Sequence, residues 1–317
     1  MRALILGGGG FLGRKLAGAL AARGSLRGAA ISRLAQVDLA APEPVSGAEG
    51  LALDITDRAA TAALLGQGWD AIFHLAAVVS GQAEAELETG LAVNLQGSLN
   101  VLEGARAAGG APVLVFASSV AVYGGDVPDP LHDFVALQPQ TSYGAQKAAV
   151  ELLVSDHARR GLIDGRSVRL PTVTVRPGKP NAAASSFMSS IFREPLQGQT
   201  ANCPVGEDYP IWHCSPRVVI RNLIHAAEVD GAALGATRAF ALPGRRDTVG
   251  EMIAAMTRVA GPEAATRITW ERDPVIERIV MGWRAGLRPD HALRLGFVAD
   301  ASFEDNIRGF LEDDVAA

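Results

Sequence analysis

The sequence predicts an α/β fold: a doubly wound parallel sheet with a smaller substrate lobe towards the C-terminus. Three observations predict it. Short apolar runs alternate with amphipathic stretches through the N-terminal half of the 317 residues. The first run, Arg2–Leu6, leads straight into four consecutive glycines and then a helical pattern. The second run ends on an acidic residue, Asp38. Strands this close together, joined by amphipathic helices, need right-handed crossovers and therefore a parallel sheet.

The strand runs in order are Arg2–Leu6, Ile31–Val37, Gly50–Leu53, Ala71–Leu75, Val113–Ala117 and Ser167–Leu170. Between the first run and a helix over Arg14–Arg23 lies Gly7-Gly8-Gly9-Gly10-Phe11-Leu12-Gly13, a GxxGxxG frame on Gly7, Gly10 and Gly13. Glycine there allows a tight turn and lets the backbone approach a pyrophosphate at a helix N-terminus. The flanking strand and helix make this a Rossmann-type dinucleotide loop. Asp38, at the end of the second run, suits the ribose hydroxyls of NAD. Arg14 and Arg33 argue the other way, because a nearby cation could accommodate the 2′-phosphate of NADP.

The chemistry is concentrated in Tyr143-Gly-Ala-Gln-Lys147, with Ser119 upstream. Tyrosine and lysine at i and i+4 share a helix face. A phenol of pKa about 10 is a poor base at neutral pH. A neighbouring lysine cation favours the phenolate. The serine hydroxyl can then hold a substrate alcohol while the phenolate takes its proton. The spacing alone also fits an exposed helix with a half-buried tyrosine.

Taken together, the glycine loop, Asp54-Ile55, His74-Leu75-Ala76-Ala77, Val93-Asn94, Phe116–Gly124 (FASSVAVYG) and Tyr143–Lys147 resemble the extended short-chain dehydrogenase/reductases, the superfamily of nucleotide-sugar epimerases and their relatives. The resemblance runs nearly end to end. It implies a catalytic triad of Ser119, Tyr143 and Lys147, with Ser119 selected over Ser118 by its place four residues before Tyr123. It implies NAD contacts from Gly7, Gly10, Phe11, Leu12, Gly13, Asp38, Asp54, Ile55, Leu75, Ala76, Ala77, Asn94, Tyr143, Lys147 and Pro171. It divides the chain into an NAD-binding domain over 1–171, rejoined by segments near 216–242, and a mainly substrate-binding lobe over 172–317. It also implies a homodimer through helices near Leu95–Ala108 and Tyr143–Arg159.

A narrower resemblance lies in Val78–Glu84, Arg169–Thr172, Arg176–Asn181, Ser185–Phe187, Arg193–Leu196 and Trp212–Arg217. These stretches are similar to the D-erythronate dehydrogenases, which oxidise a four-carbon sugar acid at C2 with NAD. A sugar acid needs its carboxylate paired, which arginine does bidentately. Arg176, Lys179 and Arg217 are the candidate cations. Ser80, Asn181 and His213 are candidate hydroxyl partners, with Ser119 and Tyr143 at the reacting carbon. The expected reaction is NAD-dependent oxidation of a small sugar acid, D-erythronate to its 2-keto acid. A nucleotide-sugar epimerase or dehydratase with the same triad is the alternative enzyme. A non-catalytic NAD(P)-sensing protein is the alternative from another class. His213 is a less suitable base than Tyr143, and His74 reads as structural.

Composition fits a globular cytoplasmic enzyme: 48% hydrophobic, 20% charged and net charge −5. No basic block recommends nucleic acid or an anionic membrane. The first strand opens at Arg2, so no signal peptide is expected, and no apolar run is long enough to span a bilayer. Cys203 and Cys214 are expected as free thiols. The histidines do not cluster with carboxylates, so no metal site is expected.

Overall fold

The computed structural model describes residues 1–178, 184–280 and 282–315. The strands that organise it are β1 (Arg2–Leu6), β2 (Arg33–Asp38), β3 (Glu49–Ala52), β4 (Ala71–His74), β5 (Val113–Ser119), β6 (Asp164–Leu170), β7 (Thr172–Val173), β8 (Pro210–Cys214), β9 (Ala239–Ala241) and β10 (Arg245–Thr248). The main helices are α1 (Phe11–Arg23), α2 (Arg58–Leu65), α3 (Ser98–Ala108), α4 (Ser142–Arg159), α5 (Phe187–Leu196), α6 (Pro216–Glu228), α7 (Val249–Ala260) and α8 (Phe303–Phe310).

Among the described residues, seven strands form one parallel sheet in the order β9-β6-β5-β4-β1-β2-β3. From β1 the chain winds outward through β2 and β3. It then returns to lay β4, β5, β6 and β9 on the other side. The strand order therefore reverses between β1 and β4, and in open α/β sheets the ligand crevice lies beyond the carboxyl ends of the strands at such a point. The sheet is buried on both faces, as its continuous apolar runs require. Leu4, Leu6, Val37, Ile72, Leu114 and Phe116 pack there with Val101, Val150 and Val154 from the helices.

All six predicted strands are present; the first keeps its predicted bounds, Arg2–Leu6, and the other five have shifted ends. The first helix starts at Phe11 rather than Arg14, because extended Gly10 is its N-cap and nothing delays the first turn. Strand β6 begins three residues before the predicted Ser167. Asp164-Gly165-Arg166 has the composition of a turn, yet Arg166 is fully buried in the strand. Its guanidinium donates to the carbonyls of Ala226 and Val229 and pairs with Asp164, which makes a charged residue tolerable inside.

The chain divides into two compact units: Met1–Val122, Pro139–Arg169 and Ile220–Ala241 form the first, and Tyr123–Gln138, Leu170–Val219 and Leu242–Ala317 the second. The second has a three-stranded sheet, β7-β8-β10, with β7 and β8 parallel and β8 and β10 antiparallel. Its core gathers Phe187, Ile191 and Phe192 of α5, Met252 and Met256 of α7, and Phe303, Ile307 and Phe310 of α8. Cys203 and Cys214 are free and buried.

Candidate active site

The glycine loop is shaped by contacts that no side chain could share. Gly7 has φ +85°, and a Cβ on it would meet the Ala76 nitrogen at 2.7 Å. That close approach sets the loop after β1 against Leu75-Ala76-Ala77 after β4, at the reversal point of the sheet. A Cβ on Gly13 would lie 2.1 Å from the Gly7 carbonyl oxygen, so α1 can begin this tightly only with glycine there. By contrast, a Cβ on Gly10 would meet only the Gly7 oxygen, at 3.4 Å. The Gly10 backbone is approachable, and no side chain caps the N–H groups of Phe11 and Leu12. An open, uncapped helix N-terminus suits a phosphate.

Asp38 closes β2 beside this loop. Its Oδ2 accepts from the Gly9 N–H at 3.0 Å and its Oδ1 from Leu39 N–H at 2.9 Å. Each oxygen keeps a lone pair for a further donor. Arg33 stands at the opposite end of the same strand, about 16 Å away at the rise of an extended chain. It forks onto Glu49 at 2.9 Å through both Nε and NH2 and stacks over Trp69 at 4.5 Å. It is not a phosphate ligand for this loop. Arg14 is exposed on α1. The donors and acceptors around the loop therefore fit a dinucleotide with a free ribose 2′-hydroxyl.

Asp54 is exposed, its Oδ1 engaged by the amide and hydroxyl of Thr56. Ile55 is buried, packed against Gly97 of the π-helical turn Leu91–Gly97 that leads into α3. Asn94 lies in that turn and is a clamp. Its Oδ1 accepts from Val78 N–H at 2.9 Å, and its Nδ2 donates to the Val78 oxygen at 3.2 Å and to Gln146 Oε1 at 2.8 Å. It ties the segment after β4 to α4 one residue before Lys147.

Helix α4 carries the predicted base. Thr141 caps it, its hydroxyl accepting from Gly144 N–H at 3.1 Å, so the helix starts just ahead of Tyr143. Ser119, at the end of β5, hydrogen-bonds the Tyr143 phenol and accepts from Ala121 N–H at 3.1 Å. Lys147 donates to the Ala117 carbonyl at 2.9 Å, with its Nζ 4.6 Å from the Phe116 ring centre and 5.6 Å from that of Tyr143. The structure brings all three together.

The electrostatics differ from the expectation. Burial pushes the Tyr143 phenol up to about 12, opposed by the Ser119 hydrogen bond. Burial pushes Lys147 down to about 7, opposed by the carboxylate of Glu151. Burial dominates at both groups, because a desolvated charge is costly, and at Tyr143 the opposing influence is Ser119 rather than the expected lysine.

Sequence reasoning missed the groups beneath the triad. Glu151, one turn beyond Lys147, is buried and takes Arg169 of β6 bidentately, with Ser118 Oγ donating to it at 2.5 Å. The i+4 spacing from Lys147 was the available signal. Beside them, His74 donates from Nε2 to Ser98 Oγ at 2.8 Å, since that hydroxyl gives its own proton to the Asn94 carbonyl. Burial, with Lys147 nearby, pushes His74 down to about 3.

The predicted substrate groups are scattered. Ser80 is partly buried at the start of the short helix Ser80–Ala85 in the first unit. Pro171 is buried between β6 and β7. Lys179 and Asn181 lie outside the described residues. Arg176, in the second unit, is partly buried, and no carboxylate among the described residues pairs with it. Arg217 is half-exposed and held by Glu312 and Asp313, Nε to Asp313 at 2.9 Å and NH2 to Glu312 at 2.8 Å. His213 is fully buried, its Nε2 2.8 Å from Asp247 and its ring edge-on to Phe303, which leaves it no role as a base. No group of three metal-ligating side chains occurs among the described residues. None of the described helices is long and apolar enough to cross a membrane.

The chain is 49% identical over 319 aligned positions to a D-erythronate dehydrogenase of Cupriavidus necator, covering 99% of this chain and 98% of that protein. It is 40% identical to a D-erythronate dehydrogenase of Haemophilus influenzae, over 99% of this chain and all of that one. A solved structure described as a nucleoside-diphosphate-sugar epimerase from Agrobacterium tumefaciens superposes with a TM-score of 0.96 at 42% identity, covering 100% of this chain and 95% of that chain. Residues 3–242 match the model of the NAD dependent epimerase/dehydratase family, so the chain belongs to that family.

Proposed function

We propose that this protein is an NAD-dependent dehydrogenase that oxidises D-erythronate at C2 to the 2-keto acid. The observation that carries the reading is the assembled Ser119–Tyr143–Lys147 cluster in a chain 49% identical, end to end, to a D-erythronate dehydrogenase. NAD, when bound, supplies the hydride acceptor. Gly7, Gly10, Phe11, Leu12 and Gly13 would hold its pyrophosphate and Asp38 its adenosine ribose. Asp54, Ile55, Leu75, Ala76, Ala77, Asn94 and Pro171 complete its proposed contacts.

The chain's own residues then do three things. Ser119 orients the reacting hydroxyl. Tyr143 takes the proton from that hydroxyl. Lys147, in its charged form, favours the phenolate and so offsets the burial that holds Tyr143 high. Arg176 supplies the cation for the substrate carboxylate, in preference to Arg217, whose guanidinium already has two carboxylates. Ser80, Lys179 and Asn181 are proposed to serve the remaining polar groups of the sugar acid. The reading takes the enzyme as a cytoplasmic homodimer in carbohydrate metabolism. The outer face of α4, where Leu152 is 69% exposed, supports a helical interface.

Turnover of a nucleotide sugar is the second reading, favoured by the 42% identity to the Agrobacterium tumefaciens structure described as a nucleoside-diphosphate-sugar epimerase. Incubation with NAD and a panel of aldonates, then of nucleotide sugars, separates the two by the absorbance of reduced cofactor and by product analysis. Reduction of NAD with D-erythronate is the expected result. Turnover of a nucleotide sugar and of no aldonate would replace it with the epimerase reading. Cofactor binding without turnover of either class would leave an NAD(P)-sensing protein.

A further inference from the structure

Arg176 is held by a directional chain of hydroxyl groups. Thr174 Oγ1 donates to the Met188 carbonyl at 2.6 Å. Its remaining lone pair accepts from Ser189 Oγ at 3.3 Å. The Ser189 hydroxyl has then given up its only proton, so its oxygen is purely an acceptor. It accepts twice from Arg176, from the backbone N–H at 3.2 Å and from Nε at 3.4 Å. Thr174 and Ser189 are both buried, at 0% and 1% exposure, so water does not compete for these groups. On the other side Arg193 donates from NH1 to the Arg176 carbonyl at 3.0 Å, and Glu194 neutralises Arg193 at 2.5 Å. The Ser185 carbonyl takes one NH2 proton at 3.2 Å.

The backbone and the Nε edge of Arg176 are thus fixed, while NH1 has no partner among the described residues. Burial and the Arg193 charge both disfavour the cation here. A guanidinium so placed gains from an anion that takes its open edge, and a carboxylate does so bidentately.

We propose that Ser189 is the positioning residue for carboxylate recognition: through the Thr174–Ser189 relay it aims the open edge of Arg176 at the acid group of the substrate. The inference rests on the sugar-acid reading above. It makes preference for an acid over its neutral analogue depend on a buried hydroxyl that touches neither substrate nor cofactor.

The test measures kcat/KM for D-erythronate and for D-erythronamide with the parent, Ser189→Ala, Arg176→Ala and the double variant. Misaiming a group by a fraction of an ångström to an ångström costs up to about a hundredfold. Ser189→Ala should therefore lower the acid-to-amide ratio by about tenfold or more, through KM for the acid, with little change for the amide. Arg176→Ala should collapse the ratio further, and adding Ser189→Ala to it should change the ratio no more. Equal losses on acid and amide, or an independent effect of Ser189→Ala in the Arg176→Ala background, would make Ser189 merely structural and overturn the inference. If Arg176→Ala leaves the ratio intact, or D-erythronate is not turned over, the carboxylate reading itself fails and takes the inference with it. Should Ser189→Ala not fold, Thr174→Val removes the acceptor that sets the Ser189 proton. It should lower the same ratio in the same direction, and an unchanged ratio would overturn the proposal.

Discussion

Arg169 forks onto Glu151, Nε to Oε1 at 2.9 Å and NH2 to Oε2 at 2.6 Å, one helical turn beyond Lys147. Both side chains are buried, at 6% and 2% exposure. The pair therefore joins β6 to α4 under the triad and puts a fixed negative charge near the lysine.

Breaking this pair should be costly. Glu151→Gln leaves the Arg169 guanidinium buried without a counter-charge, a defect worth about 3 to 5 kcal/mol. Urea unfolding should show a loss of that order. Joint replacement, Glu151→Leu with Arg169→Met, should recover part of it, because the buried guanidinium is removed with its partner, while Lys147 still loses the Glu151 carboxylate. A single variant as stable as the parent would show that the pair contributes little.

Tyr143→Phe should remove turnover and leave NAD binding nearly intact. The ring still packs, but the proton acceptor is gone, and loss of a general base costs on the order of 100- to 10,000-fold. Retention of more than about a tenth of the parental rate would move the base elsewhere. His213 is not the replacement, since it is fully buried with Asp247 at its Nε2 and Asn306 at its Nδ1.

NAD should be preferred to NADP by at least about tenfold in kcat/KM, the value of a charge-assisted hydrogen bond to the ribose. The same Asp38 carboxylate repels a 2′-phosphate. Asp38→Ala should narrow the preference. Equal use of the two cofactors by the parent protein would leave Arg14 as the cation to examine, because Arg33 is committed to Glu49 and Trp69.

Acid should destabilise the protein through His74. Its pKa falls from 6.5 unfolded to about 3 folded, so between these values the unfolded chain binds the extra proton and stability is lost as pH falls. The limiting slope is about 1.4 kcal/mol per pH unit for one such group. His74→Gln should therefore lose about 1 kcal/mol less than the parent between pH 7 and 5.5, read from urea unfolding at each pH. Parallel losses in the two proteins would mean that His74 titrates normally in the folded state.

The sequence by itself determined the sheet, the dinucleotide loop and the triad. These rest on local rules: apolar runs make buried strands, only glycine fits where the Gly13 Cβ would strike the Gly7 carbonyl, and i, i+4 spacing puts Tyr143 and Lys147 on one helix face. Tertiary structure alone decided the rest. Arg33 and Asp38 looked like rivals for one ribose until the strand separated them by its length. Arg176 and Arg217 were both candidate cations in the sequence, Arg176 the first choice, and only the fold gave one of them Glu312 and Asp313 and the other a chain of hydroxyls. The sign of the Tyr143 shift was misread for the same reason. Spacing tells which charges are near each other, but desolvation depends on what the whole chain packs around them, and here burial outweighs the Ser119 hydrogen bond at Tyr143 and the Glu151 charge at Lys147.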